Sequence, residues 1–338
     1  MMTWRFASDF VQGEVQSLGG MLGPVSFDLG GRLVQPFAIA PWADEEDEEH
    51  RRLPGILQRL RGEWPCVPFG IDAPRPDLPE DWRPPRGMEG AVVDSFPHGF
   101  ASNHHWRLLK AGRRSVTIGI DYPEGHAIGR LVRTVTAAVD SAALDLALEI
   151  HARHDCRVPV GLHPVYKLPE RPRRLHLDLA EQSRSWTFPL EVEAGRTALR
   201  PDQRDAPPNA LLSREGDLID IRTLPLPGES EDLVLLTGLG GSISFTYPDL
   251  GYSIVQTWNA AHFPACCLWI SAGGRRFYPW SGRFRGLGVE PVAAPFDLGP
   301  ATAAAGSDPL CRSGVPTSIA LTAAEPFRTE YRIACRAA

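Results

Sequence analysis

Apolar and polar residues alternate along this chain with a period of two, again and again. In Leu144-Asp-Leu-Ala-Leu-Glu-Ile150, residues Leu144, Leu146, Leu148 and Ile150 share one face, while Asp145, Glu149 and His151 fall on the other. Successive side chains of a strand point to opposite faces, so this spacing predicts a half-buried β-strand. Similar runs span residues 115–120, 131–139, 175–179, 243–247, 253–258 and 331–335. Gly, Pro, Asn and Asp clusters separate them at modest intervals, which favours a sandwich or barrel over alternating strands and helices.

One helix candidate interrupts the pattern, from Glu45 to Leu60. The acidic run Asp44–Glu49 suits the first turn of a helix, whose free amide groups carry partial positive charge. Pro54 would kink or restart such a helix, and the alternative is a solvated charged loop feeding a short helix. The proline-rich stretch that follows, near 65–86, reads as an irregular loop rather than a linker, because strands of the same character resume beyond it. We expect one domain over residues 1–338, with an acidic insert near 43–60.

Composition narrows the class. The chain has 338 residues, of which 43% are hydrophobic, enough for a large core and too many for general disorder. Its 32 glycines and 32 prolines break the chain too often for long helices. A formal net charge of −6 gives no basic footprint for nucleic acid. No apolar run is long enough to span a membrane, and residues 1–10 carry no secretory pattern. Six cysteines form no CxxC pair, and we expect reduced, mostly buried thiols of a cytoplasmic protein.

Nucleotide and serine-hydrolase motifs are missing. Gly238-Leu-Gly-Gly241 lacks the lysine of a phosphate loop and reads as a turn, and there is no GxSxG. His104 and His105 are adjacent, so on a strand they would face opposite ways and would not share a metal.

Four short segments place ionisable groups beside small or rigid residues. Arg61-Gly-Glu-Trp-Pro-Cys-Val-Pro-Phe-Gly70 holds an arginine that could present its planar fork to hydroxyls or an anion, or stand in a surface turn. His98 lies between Pro97 and Gly99, where the backbone can approach a ligand closely; a structural histidine is the alternative. His163 precedes Pro164, which favours extended geometry, and imidazole titrates near neutrality. In Gly286-Leu-Gly-Val-Glu290-Pro291 two glycines make room around a glutamate with apolar neighbours. Buried there, a carboxylate needs a partner or a function.

In this order the segments resemble the galactose mutarotase-like family, in particular its aldose 1-epimerase and hexose-phosphate mutarotase members. The matching stretches are Arg61–Gly70, His98-Gly-Phe-Ala101 with Trp106, Leu162-His163-Pro164 with Tyr166, Trp258-Asn259, and Val289-Glu290-Pro291. The resemblance implies an all-β β-supersandwich with few short helices and a sugar groove. It implies His163 as general acid and Glu290 as general base, facing each other across one hexose ring, with the glutamate ionised and the histidine protonated. Arg61, His98 and Trp258 would bind the substrate, a monosaccharide or sugar derivative, with no metal or cofactor. Two departures stand out: Ser102 occupies the place of an arginine in the hexose-phosphate members, and the acidic insert has no counterpart. Asp220 and Asp249 are candidates for a further substrate-holding aspartate.

Two other readings share the scaffold. A non-catalytic carbohydrate-binding protein could use Trp258, Trp269 and Trp280 to stack on sugar faces. A glycosidase would require two paired carboxylates, and only one isolated candidate is visible.

Overall fold

The computed structural model describes residues 2–85 and 92–338; the last position of the expected proline-rich loop, 86, lies outside the described residues. Among the described residues, strands form a nine-stranded, a seven-stranded and a four-stranded sheet, with two further two-stranded ladders. The nine-stranded sheet is antiparallel, and its central strands are Tyr252–Trp258, Phe327–Ala337, Ala143–Ala152 and Ile128–Ala137. The predicted alternation is realised in strand Ala143–Ala152: Leu144, Leu146, Leu148 and Ile150 are buried and Asp145 is exposed.

The seven-stranded sheet runs Arg184–Thr187, Glu231–Thr237, Ala265–Ala272, Arg285–Ala293, Val160–Leu162, Pro65–Cys66, with Val165–Lys167 pairing onto the fourth strand as well. Its central strands are buried on both faces, so Ala265–Ala272 reads as an unbroken apolar run rather than an alternation. One face joins the main core: Val234, Leu236, Cys266, Leu268, Leu287 and Val289 pack with Leu146, Phe245 and Ile254 of the nine-stranded sheet. Gln256 crosses this core, accepting from Tyr166 Oη at 2.9 Å and donating to the Val289 carbonyl at 3.0 Å. The opposite face, with Leu235, Cys267 and Trp269, is covered by loops and by the acidic insert in a second apolar cluster that includes Trp42, Ile56, Leu60, Trp64 and Trp82.

The insert is two short helices rather than one. Asp47 caps Glu48–Arg51 by accepting from the His50 amide at 2.8 Å, and Pro54 restarts the chain before Gly55–Gln58. The proline-rich segment is pinned by buried Phe69, Leu78 and Trp82. Gly238-Leu-Gly-Gly241 is indeed a turn, with positive φ at all three glycines, and it carries the chain from the seven-stranded to the nine-stranded sheet. No helix among the described residues is long and apolar enough to cross a membrane.

Candidate active site

Strand Arg285–Ala293 presents Glu290 to the loop-covered face, opposite Cys267 in the register of the sheet. Glu290 is 2% exposed on a central strand. Its carboxyl fits because position 288 has no side chain: a Cβ there would lie 2.1 Å from Glu290 Oε1. Gly286 likewise leaves room for the ring of Phe284, 2.7 Å from where its Cβ would stand.

His163 follows strand Val160–Leu162, and its amide donates to the Trp64 carbonyl at 2.9 Å. The Trp64 indole stacks on the imidazole, ring centroids 4.2 Å apart and planes 17° from parallel. Trp64 is itself fixed from behind by a buried network at its neighbour Glu63, whose carboxylate pairs with Arg133 and accepts from Tyr331 Oη. Desolvating that charge pair is costly, and all three side chains must be present to satisfy it.

His98 stands at a φ of 56°, the left-handed region that non-glycine residues seldom occupy. Gly99 follows at 85°, with the Val67 carbonyl 2.4 Å from where a Cβ would sit. The His98 amide donates to the Gly70 carbonyl at 3.0 Å, and the Gly70 amide donates to His98 Nδ1 at 3.4 Å. That second bond places the ring proton on Nε2. Burial holds the His98 imidazole down to about 4, so near neutral pH it is an uncharged donor.

These three residues line one cavity of about 280 Å³, with Trp64, Phe69 and Asp297 among its other walls. His98 and His163 rings are 5.1 Å apart, edge to face. His163 Nδ1 and Glu290 Oε1 lie 3.4 Å apart, an ion-pair distance without the alignment of a hydrogen bond. The expected gap of one hexose ring between them is therefore absent: imidazole and carboxyl touch, and a ligand must lie over both. Burial raises the Glu290 carboxyl well above the usual range, helped by the negative charge of Asp297. It also pushes the His163 imidazole well down. The resting pair thus favours carboxylic acid and imidazole, not the expected carboxylate and imidazolium. Glu290 Oε1, His163 Nδ1 and Asp297 Oδ1 are all buried without a hydrogen-bond partner. Trp64 Nε1 and Arg275 Nε at the same cavity share that state, while Asp297 Oδ1 has Arg75 Nη2 at 3.5 Å; unsatisfied buried polar atoms are rare in folded proteins, and their gathering here marks a place that a polar ligand would complete.

Other expected contacts lie elsewhere. Arg61 is buried outside the cavity wall, turned toward Asp44 of the insert at 3.4 Å and the carbonyls of Arg59 and Ala43. Trp258 ends a strand of the nine-stranded sheet, its indole N–H donating to the Phe263 carbonyl at 2.9 Å. It borders a different concavity with Tyr331 and Arg332. Asp220 pairs with Arg222 and Asp249 with Arg174 at the surface. The aspartate at the cavity is Asp297, and the arginine is Arg275, whose guanidinium lies 4.5 Å over the Trp280 ring. Asp297 had the same signal as Glu290: these are the only charged residues between 286 and 300. Trp64 lay within the Arg61–Gly70 segment without being singled out, and Arg275 had no signal in the sequence.

Comparison with solved structures decides the fold. A candidate aldose 1-epimerase from Escherichia coli K12 superposes with a TM-score of 0.65 at 15% identity, over 100% of this chain and 99% of that one. The chain has the galactose mutarotase fold. A galactose mutarotase related enzyme from Lactobacillus acidophilus matches at a TM-score of 0.59 and 13% identity, covering 99% and 98% of the two chains. An aldose epimerase homologue from C. elegans matches at 0.60 and 13%, covering 99% of each. The sequence matches no protein-family model and no curated protein at a significant level. On this galactose mutarotase fold, the cavity opens on the loop-covered face of the seven-stranded sheet.

Proposed function

We propose that the chain is an aldose 1-epimerase that exchanges the α and β anomers of a sugar through Glu290 and His163. The observation that carries this reading is the contact of one buried carboxyl and one buried imidazole, both unsatisfied, at a cavity also lined by the neutral donor His98. Ring opening removes the proton of the anomeric hydroxyl and adds one to the ring oxygen. Both oxygens are bonded to the same carbon, so the base and acid that reach them must be close neighbours.

In the reactive form Glu290 is a carboxylate and His163 an imidazolium. Glu290 accepts the hydroxyl proton, His163 gives its proton to the ring oxygen, the bond from the anomeric carbon to that oxygen breaks, and the carbonyl forms. The pair is left as carboxylic acid and imidazole, the neutral state that burial favours, so the charged reactive form is the minor one at rest and the proton transfers return the pair to its preferred state. Rotation about the bond beside the carbonyl exposes its other face. The freed hydroxyl then attacks, His163 takes back its proton, and Glu290 protonates the carbonyl oxygen. His98 Nε2–H would hold a sugar hydroxyl, and Trp64 keeps the His163 ring in place. Positioned acid and base groups contribute typically 10² to 10⁴ each.

Polarimetry of a freshly dissolved single anomer tests this. Catalytic amounts of protein should bring the rotation to equilibrium faster in proportion to enzyme concentration, and no acceleration with any of several neutral aldoses would refute it. The second reading, sugar binding without chemistry, draws on the aromatic wall formed by Trp269 and Trp280. Saturable binding with no anomer exchange between pH 6 and 8 would favour it.

A further inference from the structure

His98 owes its place in the cavity to side chains that do not reach the cavity. A left-handed conformation at a non-glycine residue persists only where its surroundings over-determine it, and here three successive peptide groups are each held at both ends. In the group joining Pro97 to His98, the carbonyl accepts from Asn103 Nδ2 at 2.8 Å and the amide donates to the Gly70 carbonyl at 3.0 Å. In the next, the His98 carbonyl accepts from Ser102 Oγ at 2.6 Å and the Gly99 amide donates to the Phe96 carbonyl at 3.0 Å. In the third, the Gly99 carbonyl accepts from Asn103 Nδ2 at 2.9 Å and the Phe100 amide donates to Asp94 Oδ2 at 2.7 Å. Peptide groups are planar, so fixing the first two planes fixes both backbone dihedrals of His98.

Ser102 and Asn103 end the short helix Phe100–Asn103, are 0% and 7% exposed, and do not line the cavity. The amide of Asn103 is fully used. Its two Nδ2 protons go to the carbonyls on either side of His98, and Oδ1 accepts from the Ile56 amide at 3.1 Å. The opposite orientation would set its oxygen against two carbonyl oxygens. Ile56 belongs to the acidic insert and lines the cavity, so one side chain joins the insert to the loop that bears His98. Gly55 packs so closely there that a Cβ would meet the Asn103 carbonyl oxygen at 2.2 Å. Ser102, where the hexose-phosphate members have an arginine, serves the loop backbone and not the cavity.

The ring held in this way meets His163 edge to face, and it packs against Phe69 with centroids 4.8 Å apart. Asp297 and Arg275 are the charged groups that act on it. Release of the loop would turn the imidazole out of this dry setting and remove its Nε2–H from the cavity.

We infer that Asn103, assisted by Ser102, is the positioning residue of the site: it holds His98 in its left-handed conformation and ties that hold to the insert. What His98 does for a sugar rests on the epimerase reading; the hold itself rests on geometry.

NMR titration of the His98 imidazole tests the hold without any sugar, its signal being the one missing from His98→Ala. In the wild type the ring should titrate at about 4. In Asn103→Ala its midpoint should rise by about one pH unit or more toward the ordinary 6.5, because the ring gains water. Ser102→Ala removes a single hydroxyl and should move the midpoint the same way by less; it decides the matter alone where Asn103→Ala does not fold. An unmoved midpoint in the folded variants overturns the inference. A double-mutant cycle on galactose affinity, read by indole fluorescence, separates positioning from general damage. Asn103→Ala should weaken binding about tenfold through the lost His98 donor. Added to His98→Ala it should weaken binding less than about threefold further, since the group it acts through is gone. Losses that multiply independently overturn the inference. Neither measurement needs turnover, so a wild type that binds galactose without exchanging anomers removes the epimerase reading and leaves this one standing.

Discussion

Gly288→Ala isolates the position of the catalytic carboxyl from the stability of the fold. The new methyl would stand 2.1 Å from Glu290 Oε1 and 3.0 Å from the Cβ of Trp269. Carbon and oxygen come into ordinary contact at roughly 3.3 Å, so the carboxyl must retreat by about 1 Å. The nearest obstructing atom is the tip of a flexible side chain, Trp269 Cβ on the paired strand must give by a few tenths of an ångström, and Gly288 does not occupy the left-handed region, so the sheet keeps its pairing. A displacement of about 1 Å at a reacting group costs on the order of 10²-fold in rate. We therefore expect anomer exchange, followed by polarimetry or by exchange between the anomeric proton signals in NMR, to fall about a hundredfold. The melting temperature should drop by only a few degrees. Full activity in a well-folded Gly288→Ala protein would refute the argument that this glycine exists to seat Glu290.

Three further outcomes follow from the buried charges. His98 titrates at about 4 in the fold against 6.5 when unfolded, so the unfolded chain binds the extra proton between these values and stability from this group rises with pH through that window. Acidification from pH 7 to 4 should cost the wild type about 3 kcal/mol more than His98→Gln, as measured by denaturant titration; parallel losses would show that His98 is not held neutral. Arg133→Met strands Glu63 without its partner and should cost about 3–5 kcal/mol, part of which Glu63→Gln in the same chain restores; a loss below about 1 kcal/mol would mean the network does not support Trp64. With the Glu290 carboxyl raised and the His163 imidazole lowered by burial, the pH–rate profile should lack the step of an ordinary imidazole, and a steep change centred at its usual 6.5 would contradict that.

Much of this architecture can be read from local pattern. Strand Ala143–Ala152 follows from alternation because one face meets the core and the other meets solvent. Glu290 stands out because two glycines flank a lone charge in an apolar run, a local cause with a local trace. The strand Ala265–Ala272 is less legible, since burial on both faces erases the period of two. Residues that depend on distant partners are the least legible. Arg61 lies in a motif suited to ligand contact, yet Asp44 of the insert lies close enough to hold it. Trp64 is placed by its stack on a histidine 99 positions later. Arg275 is drawn over Trp269 and Trp280 and beside Glu231, a meeting of two strands and a loop that no short window contains.

The central claim is that one buried carboxyl moves the proton of the anomeric hydroxyl, and Glu290→Gln tests it most directly. The amide keeps the shape of the side chain but cannot accept that proton. Measured by exchange between the two anomeric signals at equilibrium, with sugar binding confirmed by fluorescence, the variant should bind as the wild type does and exchange anomers 10² to 10⁴ times more slowly. Exchange at the wild-type rate in Glu290→Gln would contradict the account.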